Sequence, residues 1–296
     1  MILMGYKSLL VSRFAKVVVI LTFVLSYSSC DKEDTSEFVS QAEIVAEYVR
    51  AEDYMADLFG LLHSSIYDTT LVNNGQGLID STYVSYQLDS VTGIGTFFYD
   101  FDSPNQPQGT ANNYSGQVTA KLYQPFENEG ALMQATFNNY VVNGFLLQGL
   151  LNYQNTGEFV ADSKKYMLQY QLDVIWNEQK LLSFNPARNL YWSEGFDTPM
   201  DVQDDEFLLN EGADAMYFNP SDPQSVVPVN VVFTNDWAIG ISCFRYFRNG
   251  NFEATVGDEN PANILNGDFI DADYDNCADK VMIKNSDNSL GYPYYL

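Results

Sequence analysis

Glu194, Asp204, Asp205 and Glu206 follow closely on Trp192. Two carboxyl groups can cleave a glycosidic bond when they stand about 5 Å apart, or about 6.5–9.5 Å apart with a water between them. An indole face beside them could carry a sugar ring. Spacing along the chain does not fix that separation, so these four acids mark a place to look and no catalytic residue is assigned. A second acidic run, Asp271-x-Asp273-x-Asp275-Asn276, places carboxylates at positions 1, 3 and 5 of a calcium-type loop. Such loops put Gly at position 6 and a bidentate Glu at position 12. Here those places hold Asn276 and Met282. Without the closing Glu the run reads as the solvent face of an acidic strand entering a turn, and no metal site is expected.

His63 is the only histidine. Nucleophilic triads need a base beside a Ser or Cys nucleophile, and His63 lies in a helical pattern away from any such signature. A packing role on the helix, at its surface or partly buried, is the expectation. G-x-S-x-G, P-loop, G-x-G-x-x-G and H-E-x-x-H patterns are absent, so no cofactor is expected. One His and three Cys exclude a two-His zinc site and disfavour a thiolate cluster. With 39 acids against 14 Lys and Arg, the formal charge is −25. That charge repels a phosphate backbone and excludes a nucleic-acid partner.

The three cysteines are Cys30, Cys243 and Cys277. Residues 1–16 carry Lys7, Arg13 and Lys16 and no acid; Val17–Leu25 is an apolar run; Ser26, Ser28 and Ser29 precede Cys30. This is the order of a signal peptide, 1–29. The apolar run is far shorter than the roughly 20 residues a membrane-spanning helix needs. The Ser-Ser-Cys end resembles the lipobox of bacterial lipoproteins, with Tyr27 where Leu is usual. That resemblance implies cleavage before Cys30 and lipid attachment to it. An exported chain lives in an oxidising compartment, where Cys243 and Cys277 are best paired as a disulfide.

Hydrophobic residues make up 46% of the 296 positions, enough for a sizeable core. Residues 30–37 read as an acidic tether. A helix is expected over 38–75, opened by the capping box Ser40-Gln-Ala-Glu43. Its apolar stripe is Val45, Tyr48, Met55, Phe59, Leu62 and Ile66, and Asn73-Asn74-Gly75 ends it. From residue 76 the period falls to two. Val84, Tyr86 and Leu88 alternate with polar residues, as do Val118, Ala120 and Leu122, then Met133, Ala135 and Phe137. The longest such run is Leu168, Tyr170, Leu172, Val174 and Trp176. These are half-buried strands. Asn143-Gly144 and Asn249-Gly250 suit type I′ hairpin tips, and Glu127-Asn-Glu-Gly130 suits a hairpin loop. No helical pattern separates the strands, so the sheet is antiparallel. The expected fold is mainly β, with antiparallel β-sandwich-like sheets over 76–296 and one N-terminal amphipathic helix. The recurrence of Asn-Gly suggests two similar β units, 78–160 and 165–296. The abundance of Tyr and Asn fits sugar stacking and hydroxyl bonding as well as ordinary strands and turns.

Several segments resemble an uncharacterised lipoprotein family of Bacteroidetes, especially flavobacteria. They are Phe98-Tyr-Asp-Phe101, Tyr114-Ser-Gly-Gln-Val118, Met133–Gly144 with Gln148-Gly149, Tyr191-Trp-Ser-Glu-Gly195, Thr198-Pro199, Asp204-Asp-Glu-Phe207 and Asp275-Asn-Cys-Ala278. Their order and spacing agree over about residues 90–283. The chain departs from the family where the loop after Asp102 lacks a Cys, and where Asp271–Asp275 replaces a Gly-containing turn. The Asp31-Lys-Glu-Asp34 stretch after Cys30 is similar to the signal that sends such lipoproteins to the outer leaflet. The resemblance implies a β-rich, lipid-anchored protein of the outer membrane, displayed at the cell surface; composition leaves a glycan or protein ligand as the partner to consider. It carries no activity.

Overall fold

The computed structural model describes residues 31–79, 81–103, 113–198, 201–222, 224–243, 247–257, 264–271 and 277–296. The expected signal peptide, residues 1–29, and Cys30, Asp273, Asp275 and Asn276 lie outside them. Contacts separate two compact units, Met1–Glu43 and Ile44–Leu296.

The described part of the first unit is the opening of helix α1, which spans Asp31–Tyr67. The expected tether is therefore helical, and Ser40 stands inside the helix instead of capping it. The cause is local. No Gly or Pro interrupts Asp31–Ser40, so nothing in the local sequence breaks the helix.

In the second unit α1 continues from Ile44, and a short helix α2 follows at Thr69–Asn74. Asp68 caps α2 by accepting from Leu71 N at 2.8 Å, and Gly75 closes it at φ 73°. The helical region thus ends at 75, where the sequence places it.

The strands are β1 (Gln76–Ile79), β2 (Thr82–Leu88), β3 (Gly95–Asp100), β4 (Tyr114–Leu122), β5 (Leu132–Val142), β6 (Phe145–Val160), β7 (Ser163–Trp176) and β8 (Gln179–Phe184). They continue as β9 (Ala187–Glu194), β10 (Glu206–Leu209), β11 (Ala213–Phe218), β12 (Val226–Gly240), β13 (Asn249–Val256), β14 (Ile264–Ile270), β15 (Lys280–Asn285) and β16 (Gly291–Tyr295). The mainly β, antiparallel class with one long N-terminal helix is what the molecule shows. Among the described residues all sixteen strands belong to one hydrogen-bonded sheet. It runs as a meander from β1 to β7 and again from β11 to β16. Between them it forks. The second half of β7 pairs with β8, which joins β11 and so β12. The first half of β7 pairs with β9, which joins β10 and the far end of β12. Across the expected border at 160–165, β6 and β7 stay paired, from Leu146↔Ile175 to Val160↔Ser163, with one register shift between Asn155 and Glu158.

The sheet curls around α1 from Ile44 onward. Tyr48 meets Phe184 of β8, Phe59 meets Tyr153 of β6 and Phe207 of β10, and His63 meets Trp192 of β9. Between Ile44 and Ser65 only Glu47, Arg50 and Asp57 are even partly exposed. The amphipathic reading is corrected for this stretch: from Ile44 to Ser65 the helix is buried nearly all round. Its off-stripe residues Val49, Tyr54, Leu58 and Leu61 are apolar too, and a helix apolar all round belongs in a core. Each large side chain so buried contributes roughly 1.5–3 kcal/mol.

Val142 pairs with Phe145 across Asn143-Gly144, both with positive φ (51° and 87°), so this turn is the expected type I′ tip. Glu127–Gly130 lies in the β4–β5 connection, as expected. Asn249-Gly250 does not form a tip. It opens β13, with Asn249 opposite Ala238 of β12. Gly250 is there for clearance, since a Cβ would come within 2.5 Å of Trp237 Cδ1. Among the described residues no helix is long and apolar enough to cross a membrane.

Candidate functional site

The polar residues of α1 meet the sheet in two buried networks. In the first, Glu52 accepts from Arg188 on β9: Nη1 to Oε2 at 2.9 Å and Nη2 to Oε1 at 2.5 Å. Tyr170 donates to the same carboxylate, and Arg188 Nη2 also reaches Tyr48 OH at 2.8 Å. This two-pronged pair matches the guanidinium fork to the carboxylate. It fixes the angular setting of α1 inside the sheet.

The second network is centred on His63, which is fully buried. The sequence places it at the surface or partly buried; that is corrected by the sheet closing over α1. Nε2 lies 2.8 Å from Asp205 Oδ2, and Nδ1 lies 3.2 Å from Tyr153 OH. Burial lowers the His63 pKa, against the hydrogen bond and charge of Asp205, which raise it. The ring is therefore neutral, with Nε2–H donating to Asp205 and Nδ1 accepting from Tyr153. Asp205 also accepts from Trp192 Nε1 at 3.1 Å. Both ring nitrogens are thus occupied by core partners, and neither meets a Ser or Cys side chain.

This changes the meaning of the acidic group. Trp192 is fully buried, between His63, Phe207 and Tyr67, and offers no face to a sugar. Asp205 belongs to the core. Glu194 is exposed and stands opposite Glu206 across β9 and β10. Glu206 is paired with Arg248 at 2.5 Å, and Asp204 accepts from Thr198 Oγ1 at 2.8 Å. Asp271 follows β14, in another part of the sheet. Among the described residues no group of three His, Cys, Asp or Glu is placed to hold a metal. Cys243 and Cys277 form the expected disulfide, with Cα atoms 5.5 Å apart.

Asp205 also organises what lies outside the core. It ends a single 3₁₀ turn, Val202–Asp204, and its carbonyl accepts from Ile241 N at 3.0 Å. Ile241 opens a second such turn, Ile241–Cys243, held by the disulfide. Together with the C-terminal end of α1 these turns border a cavity of about 630 Å³. Its walls include Ser64, Tyr67, Asp68, Gln203 and Ser242, with Leu78 and Ile79 of β1 on the apolar side. Tyr67 is held from behind by Trp192, with ring centres 5.6 Å apart. Ser64 is 4% exposed and its Oγ has no hydrogen-bond partner. A buried hydroxyl left this way costs about 1–3 kcal/mol. The size falls in the range of small-ligand pockets. None of these wall residues was singled out by sequence reasoning. Only the positions of Trp192 and Asp204–Glu206 pointed near it.

A shallower polar groove of about 400 Å³ crosses β12–β15. There Asn235 donates to Asn251 at 2.8 Å, Asn251 donates to Asp268, and Lys284 donates to Asp268 at 2.5 Å. Comparison of the chain with family models, curated proteins and solved structures finds no match.

Proposed function

We propose that this chain is a lipid-anchored protein of the bacterial cell envelope, attached through Cys30 at the outer membrane and displayed at the cell surface, with a structural or binding role and no catalytic one. This places it with the Bacteroidetes lipoproteins its motifs resemble. The observation that carries the binding reading is the contrast between the two sides of Asp205. Inward, the titratable groups His63, Asp205, Glu52 and Arg188 are engaged with one another or with core partners. Outward, the backbone of Asp205 holds the wall of an open cavity with hydroxyl, amide and carboxylate groups. A rigid frame with an open polar hollow is suited to holding a ligand.

The second reading is a carbohydrate-active module. Among the described residues the facing pair Glu194 and Glu206 is the arrangement that supports it, although the Arg248 ion pair engages Glu206. Screening the full chain against polysaccharides and aryl glycosides tests the choice. The expected result is no turnover. Turnover that Glu194→Gln abolishes would overturn the non-catalytic reading.

A further inference from the structure

We propose that the cavity between the C-terminal end of α1 and the two 3₁₀ turns is a binding site for an uncharged sugar unit of a glycan, with the Ser64 hydroxyl as its buried anchor. This rests on the binding reading above and names its site and ligand class.

Three observations carry it. The first is the unmade bond of Ser64. The next residue, Ser65, donates to Leu61 O at 2.8 Å, the usual way a helical hydroxyl satisfies itself. Ser64 Oγ makes no such bond, although the residue is 4% exposed and forms part of the cavity wall. A hydroxyl kept unpaired beside a hollow is matched by a ligand that brings its own donors and acceptors.

The second is the chemistry of the wall. Asp68 supplies a carboxylate, with one oxygen committed to Leu71 N. Gln203 supplies an exposed amide, and Ser242 an exposed hydroxyl. Leu78, Ile79 and the Tyr67 ring supply apolar surface. Sugars present this same mixture, hydroxyls around the rim and C–H groups on the ring faces. The third is charge. No Lys, Arg or His lines the cavity among the described residues. With a formal chain charge of −25, an anionic ligand would be repelled.

The geometry also explains the disulfide's place. Ser242 adjoins Cys243, so the Cys243–Cys277 bond pins the turn that carries one wall. The His63–Asp205 contact pins the turn that carries Gln203.

The test is calorimetric titration of the full lipidated chain in detergent with neutral disaccharides of glucose, galactose, mannose, xylose and N-acetylglucosamine. A glucuronic-acid disaccharide and inorganic phosphate serve as anionic probes. A parallel arm measures retardation in gels containing neutral polysaccharides, which separates recognition of free sugars from recognition of polymer. The expected result is saturable binding of at least one neutral sugar or polymer and none of the anions. Ser64→Ala should weaken it about five- to tenfold, the loss of a hydrogen bond or two. Ser242→Ala, at an exposed position with no fold contact to lose, should weaken it as well. Asn251→Ala, in the separate groove, should leave it unchanged. Sugar binding that ignores Ser64→Ala and Ser242→Ala but is lost in Asn251→Ala would overturn this site while leaving a binding role intact. Preference for the anions, or no binding of any neutral sugar, would overturn the ligand class. Attachment through Cys30 is read by a separate label, so its failure is distinct.

Discussion

His63 Nε2 lies 2.8 Å from Asp205 Oδ2, joining positions 142 residues apart in the chain. The bond ties the last turns of the buried helix to the 3₁₀ turn that borders the cavity.

The pH dependence follows from the lowered His63 pKa. In the unfolded chain His63 titrates near about 6.5. Below that value the unfolded state binds a proton that the folded state refuses. Stability present above about pH 6.5 is therefore lost as the pH falls through and below it. Urea unfolding of wild type and His63→Gln between pH 7.5 and 5.5 checks this. The wild type should lose stability over that interval and the variant should lose less. Equal slopes would contradict a buried neutral imidazole.

Asp53 shows the opposite sign. Burial, with the charge of Asp57 second, raises its pKa well above the ordinary value. The folded state holds a proton that the unfolded state releases, so stability falls as the pH rises from about 3.9 through the folded pKa. Asn resembles the protonated carboxyl. Asp53→Asn should match or exceed wild-type stability at pH 7, and its advantage should shrink in acid. Thermal melts at several pH values would show this.

The Glu52–Arg188 pair is predicted to be unforgiving of single changes. Glu52→Met or Arg188→Met leaves a buried charge without its partner, which costs roughly 3–5 kcal/mol. Changing both, Glu52→Met with Arg188→Met, should cost much less than the sum of the single changes. A double-mutant cycle by denaturant unfolding measures the difference.

The Cys243–Cys277 bond closes a loop with a sequence separation of 34. In the chain-entropy view it stabilises by about 4 kcal/mol. Replacing both cysteines with Ser should lower the unfolding free energy by that order. A change under about 1 kcal/mol would assign the bond a local role at the cavity wall.

How much of this was legible in the sequence depended on how local each signal is. The alternation from Leu168 to Trp176 gave β7, because a half-buried strand writes its period into consecutive residues. Asn143-Gly144 marked its turn. The turns at Ala161-Asp162 and Asn177-Glu178 also have positive φ at both residues, yet neither carries a glycine, so no signal announced them. Asn249-Gly250 misled because its glycine answers a distant ring, Trp237, and not the local backbone. For α1 the stripe was right, but Val49, Leu58 and Leu61 off the stripe already implied burial all round. The acidic group near Trp192 drew attention to the right neighbourhood for the wrong reason. Its indole turned inward, and the cavity's polar groups, buried Ser64 and exposed Gln203 and Ser242, sit in a helix end and two single turns that have no periodic pattern to read.

The central claim is that this is an anchored envelope protein held by Cys30. Labelling cells with radioactive palmitate and isolating the wild-type and Cys30→Ala proteins tests it most directly. The account predicts label on the wild type, recovered with the outer membrane, and none on the variant. Equal label on both proteins, or none on the wild type, would contradict it.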